Sequence, residues 1–165
     1  MSMNLPANDL PKALASAQQQ LLAVGLDDFA SWASMELSGY PSGVRVPEYR
    51  KIAVQARGKI SNDTEVIDNQ PLPVWHLAGD WTQETLRLPI HQIVAALENR
   101  APCVRFPIDN VSLALFTRGL RMGSGFRVTD AWWEIQTVHL ERLVDGVRKQ
   151  LRLAREHLEG APGAR

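Results

Sequence analysis

Apolar residues recur at gaps of three and four along several stretches of the chain, and this spacing places them on one face of a helix. The first stretch follows Pro11, a good first-turn residue, and stops before Gly25, a residue type that commonly ends helices. Its apolar members are Leu10, Leu14, Ala17, Leu21 and Val24. We therefore predict a first helix over these residues.

Four more helices are predicted from the same spacing and from capping residues. They cover residues 27–39, 47–58, 63–68 and 82–99, and the last is expected to kink at Pro89. In the helix over 47–58, the side chains of Tyr49, Ile52, Ala53 and Ala56 are expected to point inward.

The C-terminal third of the chain predicts two further helices. Asp109 is placed to cap a helix that is apolar on nearly every side, so we expect this helix to be central and buried. The last helix is predicted from about Thr129 to Leu158, with Trp133, Thr137 and Leu140 on its apolar seam. The segment between the prolines at 102 and 107 is at most a short edge strand.

These elements predict a mainly α fold: a single-domain helical bundle of five to seven helices with a long C-terminal helix and minor or no β structure. The domain is expected over residues 1–160, with a disordered tail over 161–165. The seam of the last helix runs far enough to favour a partner protein or self-association there. It could equally pack on the first helices of the same chain.

The composition excludes several classes of protein. Hydrophobic residues make up 45% of the 165 residues and charged residues 22%, which is ordinary for a globular protein and excludes a disordered chain. No apolar run is long enough for a membrane span, and the first residues do not form a signal peptide, so we expect a cytoplasmic protein without membrane contact. The lone Cys103 excludes an internal disulfide and a cysteine zinc cage.

The net charge is zero, but positive charge is concentrated in one segment. Residues 45–60 sum to +4, between acidic segments of −3 and −5. We predict that Arg45, Arg50, Lys51 and Arg57 form the basic face of the helix over 47–58 and contact nucleic acid. The alternative is that the flanking acids neutralise these side chains within the fold.

Five tryptophans are more than a chain of this length usually carries. Trp132 and Trp133 are adjacent in sequence, so both cannot point inward from one helix, and we expect the ring of Trp132 to be half exposed. Arg121 and Arg127 lie close by in sequence. Exposed tryptophan near arginine is common at binding surfaces, so we predict that these three residues contact a partner.

No combination of residues indicates catalysis. The chain has no nucleophile, base and orienting group at a recognisable spacing, and no phosphate-binding or dinucleotide fingerprint. His76 and Asp80 could begin a metal site, but a third ligand would have to come from far away in sequence. We expect no enzymatic activity, no catalytic residues, no bound metal and no cofactor.

Two sequence features resemble phage antitermination proteins of the Q type. Phe29-Ala-Ser-Trp-Ala33 followed by Gly39-Tyr-Pro-Ser42 is similar to their opening, and Val94-Ala-Ala-Leu97 is similar to a helix in the middle of their chains. The resemblance covers residues 20–58 and 86–120. It implies a small cytoplasmic bacteriophage regulator of transcription that engages promoter DNA and RNA polymerase. The alternative is a non-enzymatic protein–protein adaptor or inhibitor, of the anti-defence or assembly type, which binds through its tryptophans and its C-terminal helix.

Overall fold

The computed structural model describes residues 5–120 and 122–163, in which two helices are followed by four strands and then by helices and strands in alternation. The helices are α1 (Leu10–Ala23), α2 (Asp27–Ser38), α3 (Ile90–Glu98), α4 (Asn110–Gly119) and α5 (Thr137–Gly160). The strands are β1 (Lys51–Ala53), β2 (Gln55–Ser61), β3 (Val66–Pro71), β4 (Gln83–Thr85), β5 (Cys103–Pro107) and β6 (Arg127–Gln136). This is an α/β fold, so the prediction of a mainly α bundle with minor or no β is wrong.

The chain forms two compact units. The helical unit comprises the residues up to Lys51, Thr85–Arg100 and the residues from Leu140 onward. The sheet unit comprises Ile52–Glu84 and Ala101–His139. The single domain expected over 1–160 stays a prediction, as does the tail over 161–165, whose last two residues lie outside the described part.

The helical unit buries one face of each helix that it contains. Four of the five residues predicted for the stripe of the first helix, Leu10, Leu14, Ala17 and Leu21, are buried in α1, whereas Val24 lies just past its end and is half-buried. α2 contacts both α1 and α3, which contributes a buried face of its own. α5 buries Leu140, Leu143, Val144, Val147, Leu151 and Ala154. In the part of the chain that the structure describes, no helix has both the length and the apolar character needed to cross a membrane.

The sheet unit is built on four antiparallel strands in the order β3-β2-β6-β5. α4 packs on β6, where the Phe116 ring lies edge-on to Trp133 at 6.2 Å between centroids. Trp81 completes this aromatic cluster, 5.1 Å from Phe116. β5 forms one edge of the sheet, which confirms the edge strand predicted between the two prolines. A separate two-stranded sheet pairs β1 with β4.

The prediction of a helix over residues 47–58 is wrong. A single 3-10 turn, Glu48–Arg50, is followed by β1 and then β2, in which Ala56, Gly58 and Ile60 are buried in alternation. Gly58 does not end a helix. A Cβ at this position would lie 2.4 Å from the carbonyl oxygen of Asp130, so only glycine allows β6 to approach this closely.

The prediction of a helix from Thr129 is also wrong for its first eight residues, which form the end of β6. The helix begins at Thr137. Trp133 and Thr137 are four residues apart, a gap that keeps two side chains on one side of a helix and of a strand alike. Residues that are two positions apart share a side in a strand but not in a helix, so their burial distinguishes the two structures. Ala131, Trp133 and Ile135 are all buried. Their spacing is that of a strand.

Three smaller predictions also fail. The helix expected over 63–68 is replaced by a turn and the start of β3, and the helix expected over 82–99 begins only at Ile90, after β4. α4 is not the central helix, since Phe116 is its one buried residue and Val111 is 81% exposed. The apolar composition of α4 does not bury the helix in the core. One face of α4 packs on the sheet, and its opposite face is exposed to solvent.

Asp109 caps α4 as the sequence predicts. Its Oδ1 accepts hydrogen bonds from the backbone N–H groups of Val111 at 3.0 Å and Ser112 at 2.9 Å. The Ser112 hydroxyl donates to Oδ2 at 2.6 Å. These bonds favour the charged carboxylate, so the pKa of Asp109 lies below its ordinary value.

Loss of this cap gives the first prediction. Asp109→Ala should lower the free energy of unfolding by about 1 kcal/mol, whereas Asp109→Asn, which still accepts the backbone hydrogen bonds, should retain most of it. Because the folded-state pKa is depressed, the carboxylate's contribution is present above the unfolded-state pKa and is lost as the pH falls through the folded-state pKa. Urea denaturation at several pH values measures both effects. Equal stability of the alanine variant and the wild type would contradict the prediction.

Candidate binding groove on the C-terminal helix

A buried carboxylate organises the polar interior of the helical unit. Trp32 and Glu36 are four residues apart and lie on one side of α2. Tyr40 follows the helix, after Gly39. The Glu36 side chain has no solvent exposure. Its Oε1 accepts hydrogen bonds from the hydroxyls of Tyr40 at 2.7 Å and Tyr49 at 2.6 Å.

Arg50 neutralises this carboxylate and is itself fully buried. Its Nε donates to Oε1 of Glu36 at 3.2 Å, and one terminal nitrogen donates to Oε2, which is the two-pronged geometry that arginine forms with carboxylates. The other terminal nitrogen donates to the backbone carbonyls of Leu86 at 2.8 Å and Leu88 at 2.7 Å. The guanidinium also lies 4.8 Å from the centre of the Tyr40 ring. The ion pair therefore connects α2, the 3-10 turn and the segment that leads into α3.

Tyr49 links this interior to α5. Its hydroxyl accepts a hydrogen bond from the indole N–H of Trp32 at 2.8 Å while it donates to Glu36. Burial, followed by the nearby negative charge of Glu36, raises the pKa of Tyr49 far above its ordinary value, so the phenol stays protonated. The Tyr49 ring lies against Gly146, where a Cβ would come within 2.5 Å of the ring carbon Cγ.

A groove of about 700 Å³ runs along the exposed side of α5, next to Tyr49. The residues of α5 that line it recur at gaps of three and four, so they form one stripe of the helix. Those that carry charge are Arg142, Asp145, Lys149, Arg152 and Glu156. The apolar part of the wall includes Tyr49 and Leu153, which is 41% exposed.

The positive charge of the groove is not neutralised by its own acids. Asp145 is engaged by Arg148 at 2.7 Å. Within the described residues, Arg142, Lys149 and Arg152 have no ion pair at 4 Å or closer. Three cations and two carboxylates therefore line one concave surface, and one of the carboxylates is already paired with Arg148, so an excess of positive charge remains that suits an anionic ligand.

The structure does not bring the four predicted nucleic-acid residues together on a helix. Arg50 is buried in the ion pair with Glu36 and is not accessible to a phosphate. Lys51 pairs with Glu48 at 2.8 Å at the surface, and Arg45 is exposed. Arg57 lies on β2 of the sheet unit, where it donates to Asn69 Oδ1 at 2.6 Å. Nucleic-acid binding by the accessible residues stays a prediction.

The partner surface predicted around Trp132 also differs from expectation. Trp132 is only 8% exposed, because β6 directs it to the sheet face opposite Trp133 and the Arg105 guanidinium lies 4.2 Å from its ring centre. Its indole N–H has no hydrogen-bond partner among the described residues. Arg127 is exposed at the start of β6. Arg121 lies outside the described residues, so its part in such a surface stays a prediction.

His76 and Asp80 each contact neighbouring residues of their own loop. Asp80 accepts hydrogen bonds from the backbone N–H and the hydroxyl of Thr82, which lower the pKa of its carboxyl group. The ring of His76 lies edge-on to Trp75, which is 83% exposed. Among the described residues, no three His, Cys, Asp or Glu side chains are grouped so that they could hold a metal ion.

Sequence reasoning missed the central residues of this site. The signal for Glu36 was present, since it lies four residues after Trp32 and three after Ala33 on the buried stripe of α2. A charged residue on an apolar stripe indicates a buried partner. Gly146 was not singled out as a packing contact either, and its role is to leave space for the Tyr49 ring. Nothing in the sequence indicated that Tyr49 lies there.

The buried ion pair gives the second prediction. Glu36→Gln leaves the Arg50 guanidinium buried without a counter-charge, so the free energy of unfolding should fall by about 3–5 kcal/mol. Glu48→Gln removes the exposed partner of Lys51 and should leave stability nearly unchanged, because exposed pairs contribute little. Urea denaturation followed by circular dichroism compares the two variants. Equal effects would show that burial of the Glu36 pair has no special importance.

The contact between α5 and Tyr49 gives the third prediction. Gly146→Ala places a methyl group against the Tyr49 ring and should destabilise the protein by about 1–3 kcal/mol, even though alanine is the better helix former. Gly160→Ala is the matched control on the same helix, because a Cβ there meets no atom within 4 Å. The thermal midpoint of Gly146→Ala should fall and that of Gly160→Ala should not. A rise for both variants would contradict the packing described here.

Comparison with known proteins identifies one related family. The AbiTii family model matches residues 3–153, which is most of the chain. No curated protein and no solved structure matches. The family suggests a role in abortive infection and not in antitermination, so the classification as an all-α antitermination regulator is corrected. The resemblance of residues 20–58 and 86–120 to Q-type proteins stays a prediction.

Proposed function

The chain belongs to the AbiTii family, and from that premise we propose that it takes part in abortive infection, a bacterial response that limits phage multiplication. It acts in the cytoplasm by binding a macromolecular partner, and it does not act as an enzyme. The partner binds in the groove on α5. This proposal keeps the contact through the C-terminal helix that the sequence suggested for an adaptor, without a role for Trp132.

One observation carries the proposal: the groove places Arg142, Lys149 and Arg152 on one side of α5 without ion-pair partners among the described residues. Long cationic side chains on an isolated surface helix are usually balanced by acids at i,i+3 or i,i+4. Asp145 lies at this spacing from Arg142 and Lys149, and Glu156 lies at this spacing from Arg152. Asp145 is instead paired with Arg148, and Glu156 forms no ion pair at 4 Å or closer within the described residues. A ligand with negative charge supplies the missing partner.

The framework beneath the groove supports the same proposal. A binding site works best when rigid elements hold its first contacts in place. Here Tyr49 is fixed by two hydrogen bonds, to Trp32 and Glu36, and its ring fixes α5 at Gly146. The groove is thus formed before a partner arrives, which lowers the entropic cost of binding.

Charge reversal in the groove gives the fourth prediction. A bacterial strain from which this gene has been deleted is complemented with the wild type or with Arg142→Glu/Lys149→Glu, and phage plaques are counted. The wild type should restore protection and the double variant should lose it, because the groove then repels an anionic partner. Arg155→Glu, an exposed position of α5 outside the groove, is the matched control and should protect.

Three outcomes would contradict the proposal. Plaque counts that do not depend on the gene would exclude a role in abortive infection. Full protection by the double variant would exclude the groove as the contact. Equal loss of protection with Arg155→Glu would mean that general charge, and not the groove, is responsible. Equal amounts and thermal midpoints of the variant proteins in the cells confirm that folding is not the cause.

A further inference from the structure

We propose that the anionic partner of the α5 groove is a single-stranded nucleic acid, whose phosphates contact Arg142, Lys149 and Arg152. This inference rests on the proposed function, because it names the ligand class for the same groove. Three features of the groove carry it: the spacing of its cations, its size and shape, and the lack of features that a peptide would need.

The cations are spaced along the groove in the way that a polyanion requires. Arg142 and Arg152 are ten residues apart, which is about 15 Å along a helix that rises 1.5 Å per residue. A stacked nucleic-acid strand rises about 3.4 Å per nucleotide, so the row spans about four nucleotides. A row of separated charges on one helix stripe contacts successive phosphates, whereas a single small anion would use only one of them.

The size and lining of the groove favour a single strand. Its volume of about 700 Å³ lies in the range of sites that hold small ligands, which suits a short stretch of single strand. Proteins that bind single strands combine a cationic groove with aromatic or apolar surface on which bases rest. Tyr49 and Leu153 provide that surface here, beside the cations.

An acidic peptide is the competing ligand, and the groove lacks what the common modes of peptide recognition use. Those modes need an exposed strand edge, an apolar groove for an amphipathic helix, or an aromatic channel for proline. The groove is lined mainly by α5, whose interior backbone groups are already hydrogen-bonded within the helix, and charged side chains stand along its whole length. A phosphate strand needs only the side-chain donors that are present.

Two acidic residues line the groove, and of these Asp145 is paired with Arg148, so Glu156 carries the unpaired negative charge. Glu156 lines the end of the groove beyond Arg152 and has no ion pair at 4 Å or closer in the described chain. Its carboxylate repels a phosphate at that end, so the strand binds over residues 142–152. Removal of this charge should therefore strengthen binding, an effect that damage to the fold would not produce.

The test measures the affinity of the full-length protein for fluorescent eight-nucleotide RNA and DNA strands over a series of salt concentrations. With three phosphate contacts, the slope of log affinity against log salt should be about −2, since each contact on a single strand contributes about −0.7. Arg142→Gln/Lys149→Gln should reduce the slope to about −0.7 and weaken binding. Glu156→Gln should strengthen binding about twofold to fivefold, as expected for removal of one exposed like charge.

Controls separate this inference from its alternatives. Arg155→Gln should leave the slope unchanged, and the comparison of RNA with DNA strands shows which of them is preferred. No binding by the wild type at low salt, tighter binding to a duplex of equal length, or an unchanged slope in the double variant would overturn the inference. Binding of a polyglutamate peptide in place of both strands would also overturn it.

The outcome is distinguishable from that of the plaque experiment. If the groove variants lose protection against phage while the wild type binds no nucleic acid, the groove is the contact and the ligand is of another class. If nucleic acid binds in the groove but plaque counts do not depend on the gene, the inference stands and the role in abortive infection falls.

Discussion

The ion pair between Glu36 and Arg50 is the interaction on which the helical unit depends. Each side chain is fully buried, and a buried charge without its partner carries a desolvation penalty of several kcal/mol. The pair avoids this penalty because every oxygen of Glu36 accepts hydrogen bonds and three nitrogens of Arg50 donate them. These contacts fix α2, the 3-10 turn and the segment before α3 relative to one another.

The ion pair between Glu36 and Arg50 matters more for the geometry that it imposes than for the stability that it adds. Apolar residues of similar volume often replace a buried ion pair without loss of stability, but they do not prescribe one geometry. The carboxylate of Glu36 does so here, because it also receives the hydroxyls of Tyr40 and Tyr49. Tyr49 then transmits the position to α5 through Gly146. The groove on the surface therefore takes its shape from a charge in the interior.

Charge in this protein acts locally. The net charge is zero, so no global field directs the protein to an anionic partner. The acids and bases are not distributed evenly, however. Most of the basic segment that stands out in the sequence is neutralised within the fold, since Arg50, Lys51 and Arg57 form ion pairs with Glu36, Glu48 and Glu134. The unpaired cations lie instead on α5, where acidic and basic residues are mixed in sequence.

The sheet unit shows how one residue spacing serves two structures. A gap of four between apolar residues suits a helix face and a strand face equally, so Trp133 and Thr137 were assigned to one helix although the chain changes from strand to helix between them. The strand exists because β6 pairs with β2, about 70 residues earlier, with Arg57 opposite Trp132. No local pattern contains that partner.

The sequence by itself determined the elements that depend on neighbouring residues only. These are α1 and α2 with their ends, α5 as the helical part of the predicted last helix, the Asp109 cap of α4 and the edge strand between two prolines. In each of these, the periodicity, the cap or the proline lies within the element. Only the tertiary structure decided that β2 and β6 are strands, that Arg50 is buried and that the groove cations are unpaired. These properties depend on residues distant in sequence, since strand pairing, the burial of a charge and the pairing of a cation are each set by what the fold brings alongside.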